Sequence, residues 1–148
     1  MTTESVQTST AGVRITAGGE VFSAVLEDEL APRTCAVFRR LLPFSNKAIH
    51  ARWSGEALWV PLGELDLDLT HENPTSHPAP GQVLLYPGGL SETEFLLPYG
   101  GCSFLSIVGP LAGNHFLTIV DRLDVLATLG RQVLWKGAVD LTFDFARG

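Results

Sequence analysis

One short stretch of this sequence combines an arginine with tryptophans, residue types that suit the wall of a binding pocket. Residues 49–62 hold two of the three tryptophans and the chain's only Arg-Trp pair, Arg52-Trp53. The Ser54-Gly55 pair is typical of a turn, so two short strands joined in a hairpin are predicted. A guanidinium offers a fork of donors and an indole offers a broad apolar face. We therefore expect this hairpin to line a pocket.

Arg52 has two interpretations, because an arginine among apolar strand residues needs an anion, a carbonyl or an aromatic ring beside it. In the first, it acts on a ligand as an electrophile or carboxylate clamp. In the second, it forms a structural ion pair with Glu56 or Glu94. Trp53 and Trp59 have a similar choice between the pocket wall and core packing.

Two carboxylates form a second candidate group. Glu92 and Glu94 are two residues apart, so they share one face if the segment is extended. Two carboxylates on one face can raise the pKa of one of them and create a general base. The alternative is a solvated turn.

The remaining polar candidates are histidines and an amide. His115, beside Asn114, can donate to a ligand and titrate near neutrality, or it can be a buried histidine bonded to backbone. His71, Glu72 and His77 lie on a proline-broken loop without metal-binding spacing, so no metal is predicted. The sequence also lacks P-loop and Rossmann glycine patterns, and no cofactor is expected.

Length and composition describe one globular domain. The 148 residues predict a single domain over residues 12–148, preceded by a polar, disordered tail over residues 1–11. A net charge of −6 argues against nucleic acid and anionic membranes as partners. No apolar run approaches the ~20 residues that span a bilayer, and the N-terminus does not resemble a signal peptide. We expect a cytoplasmic protein with Cys35 and Cys102 reduced.

The hydrophobic pattern predicts many short strands and two helices, over residues 31–42 and 123–129. Residues 71–81, with three prolines, predict a long loop that closes the pocket mouth. Short strands at regular spacing are typical of a closed β-barrel. Besides the hairpin, the predicted strands are 13–15, 21–26, 83–86, 94–97, 103–108, 115–120, 133–135 and 139–145, with 65–69 as an edge strand or extended segment.

Three segments, in order, resemble the cyclophilin fold. The first is the strand 22–26 followed by Ala31-Pro32-Arg33-Thr34, the second is 101–107, and the third is 114–120 followed by 126–130. The resemblance covers most of residues 12–146. It implies a mainly β protein, a closed cyclophilin-like barrel of about eight strands with two helices.

The middle of the chain is more similar to small bacterial cyclophilin-like families of unknown function than to prolyl isomerases. The segments that carry this are Trp53-Ser54-Gly55-Glu56 and residues 81–88. By resemblance, Arg52 takes the place of the catalytic cyclophilin arginine, Phe104 that of the pocket phenylalanine and His115 that of the pocket histidine. The glutamine and tryptophan of the cyclophilin pocket have no counterpart here.

Together these features predict a bacterial cyclophilin-like protein that binds or transforms a small carboxylate- or amide-bearing metabolite. A prolyl isomerase or proline-peptide binder and a non-catalytic partner subunit are the alternatives. The mean hydropathy of +0.20 suggests a homodimer. The predicted catalytic residues are Arg52 and His115, and the predicted ligand-binding residues are Trp53, Glu56, Trp59, Tyr86, Glu94, Phe104 and Asn114.

Overall fold

The structure is a computed structural model that describes residues 12–146. The tail predicted over residues 1–11 lies outside this range. The two helices are α1 (Pro32–Leu41) and α2 (Leu123–Lys136). The strands are β1 (Gly12–Ala17), β2 (Glu20–Leu26), β3 (Phe44–His50), β4 (Gly55–Gly63), β5 (Pro74–Thr75), β6 (Gln82–Tyr86), β7 (Thr93–Cys102), β8 (Leu105–Ser106), β9 (Gly109–Pro110), β10 (Gly113–Ile119) and β11 (Val139–Phe145).

Eight of these strands form a closed antiparallel barrel in the order β2-β1-β11-β3-β4-β7-β6-β10. The barrel closes where β10 pairs with β2. The short strand β5 adds to β10, and β8 and β9 form a separate two-stranded hairpin. The predicted fold class, a mainly β closed barrel of about eight strands with two helices, is confirmed.

Alternating apolar residues and α1 fill the barrel interior. In β1, for example, Val13 and Ile15 are buried and Arg14 between them is exposed, as period-two alternation requires. The α1 residue Phe38 is fully buried, with its ring centroid 4.8 Å from that of Phe116 and 5.2 Å from that of Phe143. Edge-on and tilted aromatic contacts of this kind anchor the helix in the barrel.

The first helix agrees with its prediction to within a residue at each end. Pro32 occupies the first turn and Pro43 follows the last, where each is compatible with the helix. The Glu72 carboxylate accepts hydrogen bonds from the backbone N–H groups of Arg33 and Thr34, at 3.1 and 2.8 Å. A carboxylate at this end offsets the helix dipole.

The second helix is longer than predicted, and the strand predicted over residues 133–135 is wrong. Leu126, Leu129 and Val133 recur at helical spacing and are buried, so the helix continues to Lys136. Gly130 does not end it. A Cβ at Gly130 would lie 2.2 Å from a Tyr99 ring carbon, so this glycine lets the helix approach the barrel closely.

Three other predictions of local structure are wrong. The strand predicted over 94–97 does not end there, since β7 stays paired with β4 as far as Cys102, across a bulge near its end. The strand predicted over 103–108 is reduced to the two residues of β8, and Ile107 is 80% exposed. Residues 65–69 form no strand, and Asp68 has a positive φ of 54°.

Burial disfavours the thiolate form of the two cysteines. Both are free thiols, as predicted. Burial raises the pKa of Cys35 to about 12 and that of Cys102 to about 11, so neither forms a reactive thiolate near neutral pH. Within residues 12–146, no helix is both long and apolar enough to cross a membrane.

Candidate functional site

A second apolar cluster lies on the outer face of the barrel. Along β4, Leu58 and Val60 belong to the barrel core, while Ala57 and Trp59 belong to this other cluster. Successive strand residues point to opposite faces, so the second cluster faces outward. We call it the outer cluster; its buried members are Ala51, Ala57, Leu84, Tyr86, Leu96, Phe104 and Leu111.

A cleft of about 340 Å³ lies on this outer face. The turn between β3 and β4 forms one lip and the β8–β9 hairpin forms the other. Its lining residues are His50, Ala51, Arg52, Trp53, Ser54, Trp59, Ser91, Glu92, Glu94, Leu96, Leu105, Ser106 and Ile107.

Arg52 lies in the turn after β3 and is exposed. Within residues 12–146 it forms no salt bridge, so of its two interpretations the ion pair with Glu56 or Glu94 is not observed. Glu56 instead accepts a hydrogen bond from the Gly101 backbone N–H at 2.9 Å. The Arg52 guanidinium thus remains available at the cleft.

Glu94 is the most unusual titratable group of the cleft, because its side chain is only 6% exposed. On the neighbouring strands it lies opposite Pro61 and Tyr86. Burial raises the pKa of Glu94 to about 8; the charge of Glu92 adds to the rise, and the Trp59 indole N–H opposes it. Glu94 is therefore mostly protonated at pH 7 and can exchange a proton near neutrality.

The indole nitrogen of Trp59 is buried beside this carboxyl. Among residues 12–146 it has no acceptor in good hydrogen-bond geometry. Its N–H still favours the ionised form of the nearby Glu94 carboxyl. A buried donor without a well-placed acceptor is uncommon in folded proteins. Trp59 and Glu94 thus give the cleft polar groups that a ligand can satisfy.

Ser54 joins the two lips of the cleft. Its side chain is buried, and its Oγ donates to the Leu105 carbonyl at 3.1 Å and accepts from the Leu105 N–H at 3.0 Å. The Ser103 N–H also donates to the Ser54 carbonyl at 2.9 Å. We call this set of bonds the Ser54 latch. It couples the position of the Arg52-Trp53 turn to that of the β8–β9 hairpin.

The cleft brings together four of the nine predicted site residues: Arg52, Trp53, Trp59 and Glu94. Two more, Tyr86 and Phe104, are buried in the outer cluster, with ring centroids 5.8 Å apart in an edge-on contact. They support the cleft without lining it. The other three, Glu56, Asn114 and His115, do not line it.

Asn114 belongs to a buried structural network. Its side-chain NH₂ donates to the Thr34 hydroxyl at 3.2 Å and to the Thr70 carbonyl at 3.0 Å. Its oxygen accepts from the Glu72 N–H at 3.0 Å. These bonds account for most of the hydrogen-bonding capacity of the amide.

His115 lies on β10 in a chain of side-chain hydrogen bonds. Its Nε2 is 2.8 Å from the Thr118 hydroxyl, which donates to Glu27 at 2.5 Å. Burial lowers the pKa of His115, while the nearby Glu27 opposes this effect. The structure therefore separates His115 from Arg52, with which the sequence grouped it.

The loop over residues 71–81 does not form the predicted lid. None of its residues lines the cleft. The Ser76 carbonyl accepts from the Phe104 N–H at 2.7 Å, and His77 Nδ1 is 3.2 Å from the Ser103 hydroxyl. The loop supports the segment that leads into the β8–β9 hairpin.

A larger cavity of about 620 Å³ adjoins the cleft and shares Ser91 and Glu92 with it. Its other walls are mostly turn residues from 63–66 and 87–93. We regard the smaller cleft as the candidate site, because it alone of the two combines indoles, an arginine and a buried carboxyl. Among residues 12–146, no group of three or more His, Cys, Asp or Glu side chains is arranged to hold a metal.

The second lip of the cleft is not apparent from the sequence. Leu105, Ser106 and Ile107 belong to an apolar run, which is typical of a buried strand. Gly109-Pro110, directly after this run, is the signal that could have distinguished it from a long buried strand. These two residues pair with Leu105 and Ser106 in a short hairpin.

Comparisons with known proteins agree on the fold. The solved structure of McbB in complex with tryptophan superposes with a TM-score of 0.70 at 19% identity, over 92% of this chain and 45% of McbB. The solution structure of the hypothetical protein AF2241 from Archaeoglobus fulgidus gives 0.60 at 18% identity, over 92% of this chain and 95% of AF2241. This chain thus matches less than half the length of McbB.

Sequence comparison identifies a family but no characterised relative. No curated protein matches the chain. A family model described as "Protein of unknown function (DUF3830)" matches residues 13–145, which is nearly the whole barrel. The chain therefore belongs to the DUF3830 family of proteins of unknown function.

Proposed function

We propose that the cleft binds a small carboxylate- or amide-bearing metabolite. The observation that carries this proposal is that one apolar cleft is lined by Arg52, which forms no salt bridge within residues 12–146, and by Glu94, which is only 6% exposed. Small-molecule sites are typically concave and mostly apolar, with a few converging polar groups. Arginine is well suited to a carboxylate because its planar fork donates two parallel hydrogen bonds.

The walls favour a ligand with an apolar body. Trp53, Leu105 and Ile107 lie at the lips of the cleft. Leu96 lies on β7, the strand between β4 and β6. Trp53 is 65% exposed and Ile107 is 80% exposed, so a ligand would cover apolar surface that now faces water. A cleft of about 340 Å³ is at the small end of the range for ligand sites.

Glu94 is the group that would carry any reaction. A carboxyl whose pKa is about 8 can give or accept a proton near neutral pH. Since it is mostly neutral at pH 7, it does not repel an anionic ligand held by Arg52. We infer that Glu94 is the acid–base candidate if the bound metabolite is transformed.

We also propose that the barrel is cyclophilin-like. Arg52 lines the cleft, as that resemblance implies, whereas Phe104 lies in the outer cluster and does not line it. A prolyl isomerase is the second candidate, but the glutamine and tryptophan of the isomerase pocket have no counterpart, and His115 does not line the cleft. A proline-peptide isomerisation assay separates the two, and we expect a rate at background.

Ligand screening by thermal unfolding tests the proposal. The panel contains small carboxylates and amides, and it includes tryptophan because McbB was solved with that amino acid. A ligand at about 100 times its Kd stabilises the folded state by about 2.7 kcal/mol. We expect at least one carboxylate to raise the unfolding temperature, and Arg52→Ala to abolish the rise.

Arg14→Ala is the matched control, since Arg14 is an exposed arginine on β1 that does not line the cleft. It should behave as wild type. Absence of any shift across the panel, or equal shifts in Arg52→Ala and wild type, would contradict the proposed site.

A further inference from the structure

The cleft contains two carboxyl groups that no protein cation within residues 12–146 neutralises, and this indicates the kind of ligand that it binds. Glu94 is nine-tenths buried and Glu92 lies two residues before it. Three salt bridges occur among residues 12–146, and neither glutamate takes part in one. The Glu92 side chain accepts only a long hydrogen bond, at 3.3 Å, from the Gly63 N–H. Burying a carboxyl beside a second one without a cation is unfavourable.

The arginine of the cleft does not compensate these carboxylates. Within residues 12–146, Arg52 makes no ion pair with either glutamate, although all three residues line the cleft. The cleft therefore has a positive end at Arg52 and a separate acidic part at Glu92 and Glu94. An aromatic ring, Trp59, lies beside the acidic part, and indole faces attract cations.

We propose that the ligand carries an amino group as well as a carboxylate, with its ammonium at Glu92 and Glu94 and its carboxylate at Arg52. The ligand class is then a free amino acid or a close relative with an apolar side chain. This inference rests on the proposed function and specifies it. A ligand ammonium supplies the cation that the two glutamates lack, and a neutral carboxylate ligand does not.

Proton release distinguishes this ligand from a plain carboxylate. An ammonium beside Glu94 favours its ionised form, so binding at pH 7 displaces the proton that Glu94 holds in the free protein. The charged or titratable residues that line the cleft are His50, Arg52, Glu92 and Glu94. Burial lowers the pKa of His50, so His50 is neutral at pH 7 and has no proton to release.

The experiment is isothermal titration calorimetry at pH 7 in two buffers of different ionisation enthalpy. The probes are L-phenylalanine and 3-phenylpropionate, which differ only in the amino group. We expect phenylalanine to bind roughly tenfold more tightly and to release about one proton. We expect 3-phenylpropionate to release none. In Glu94→Gln, phenylalanine should lose both its advantage and its proton release, while the Kd of 3-phenylpropionate stays within about twofold.

Glu64→Gln is the matched control, because Glu64 is an exposed carboxylate of the adjoining cavity that does not line the cleft. It should bind both probes as wild type does. Thermal unfolding of Glu94→Gln verifies that this variant is folded. If both probes bind wild type equally well without proton release, the amino-group inference is wrong and the carboxylate site stands. If neither binds, the amino-group inference is overturned, while the carboxylate site is decided by the thermal-unfolding panel.

Discussion

Glu94 is an ionisable residue in a buried position, and burial disfavours the ionised form of its carboxyl. Its carboxyl has an ordinary pKa of 4.5 and one of about 8 in the folded protein. Between these two values the folded state holds more protons than the unfolded state. The free energy of unfolding therefore falls as pH rises from about 4.5 to about 8, and it stays lowered above that.

Glu94→Gln should remove this dependence, since glutamine has the same shape and no charge. We expect the variant to match wild type at pH 4 and to exceed it by about 5 kcal/mol at pH 9. Urea unfolding at a series of pH values measures the difference, in which the contributions of all other titrating groups cancel. A difference that does not change with pH would mean that Glu94 is not desolvated.

At the scale of elements, the cleft depends on two segments that are not part of the barrel. The β3–β4 turn and the β8–β9 hairpin are joined by the Ser54 latch. Ser54→Ala removes both side-chain bonds to Leu105 and should destabilise the protein by about 1 kcal/mol. Hydrogen exchange should quicken at the Leu105 amide, while β1 and β11 keep their protection.

Ser45→Ala is the control for the latch, because Ser45 is an exposed serine on β3. It should leave exchange unchanged throughout. If Leu105 stays equally protected in Ser54→Ala, the two lips are held by something other than the latch.

Strands with one buried face were the most predictable elements. In β1, β2 and β11, polar residues alternate with buried ones, so the period-two signal is clear. In β6, four consecutive residues, 83–86, are buried, because the outer cluster covers the second face. Such a run cannot reveal which residues point into the barrel.

Burial of both faces of a strand also limited prediction of the site. Glu94 lies in a run of seven buried residues in β7, and its burial depends on strands distant in sequence. Arg52, Trp53 and Trp59 were predictable because their types are unusual for a hairpin. Asn114 and His115 are equally polar, but their side chains bond within the fold. Asn114 bonds to Thr34 of α1 and to the loop residues Thr70 and Glu72. His115 bonds to Thr118 of its own strand.

For the whole molecule, the outer cluster accounts for part of the high mean hydropathy from which a dimer was predicted. The high mean hydropathy suggested more apolar residues than one barrel interior needs, and the outer cluster buries several of them. The dimer prediction now depends on exposed apolar residues at the end of α2, where Trp135 is 84% exposed and Leu134 is 37% exposed. Exposed patches of this kind often mark interfaces.

We expect light scattering after size exclusion to give about twice the 15.9 kDa chain mass. Trp135→Glu should shift the protein to the monomer, since a charge in an apolar interface is costly to desolvate. Val21→Glu, at an exposed apolar residue of β2, is the control and should leave the dimer intact. A mass near 16 kDa at high concentration would exclude the dimer.

The central claim, a ligand site between the two lips of the cleft, is tested most directly through the three tryptophans. Each gives one indole N–H signal in a ¹H–¹⁵N NMR spectrum. Trp53 and Trp59 line the cleft, while Trp135 is on α2 and does not. Titration with L-phenylalanine should shift the Trp53 and Trp59 signals with one common Kd and leave the Trp135 signal in place. A spectrum in which the Trp53 and Trp59 signals do not move, or in which only Trp135 responds, would contradict the account.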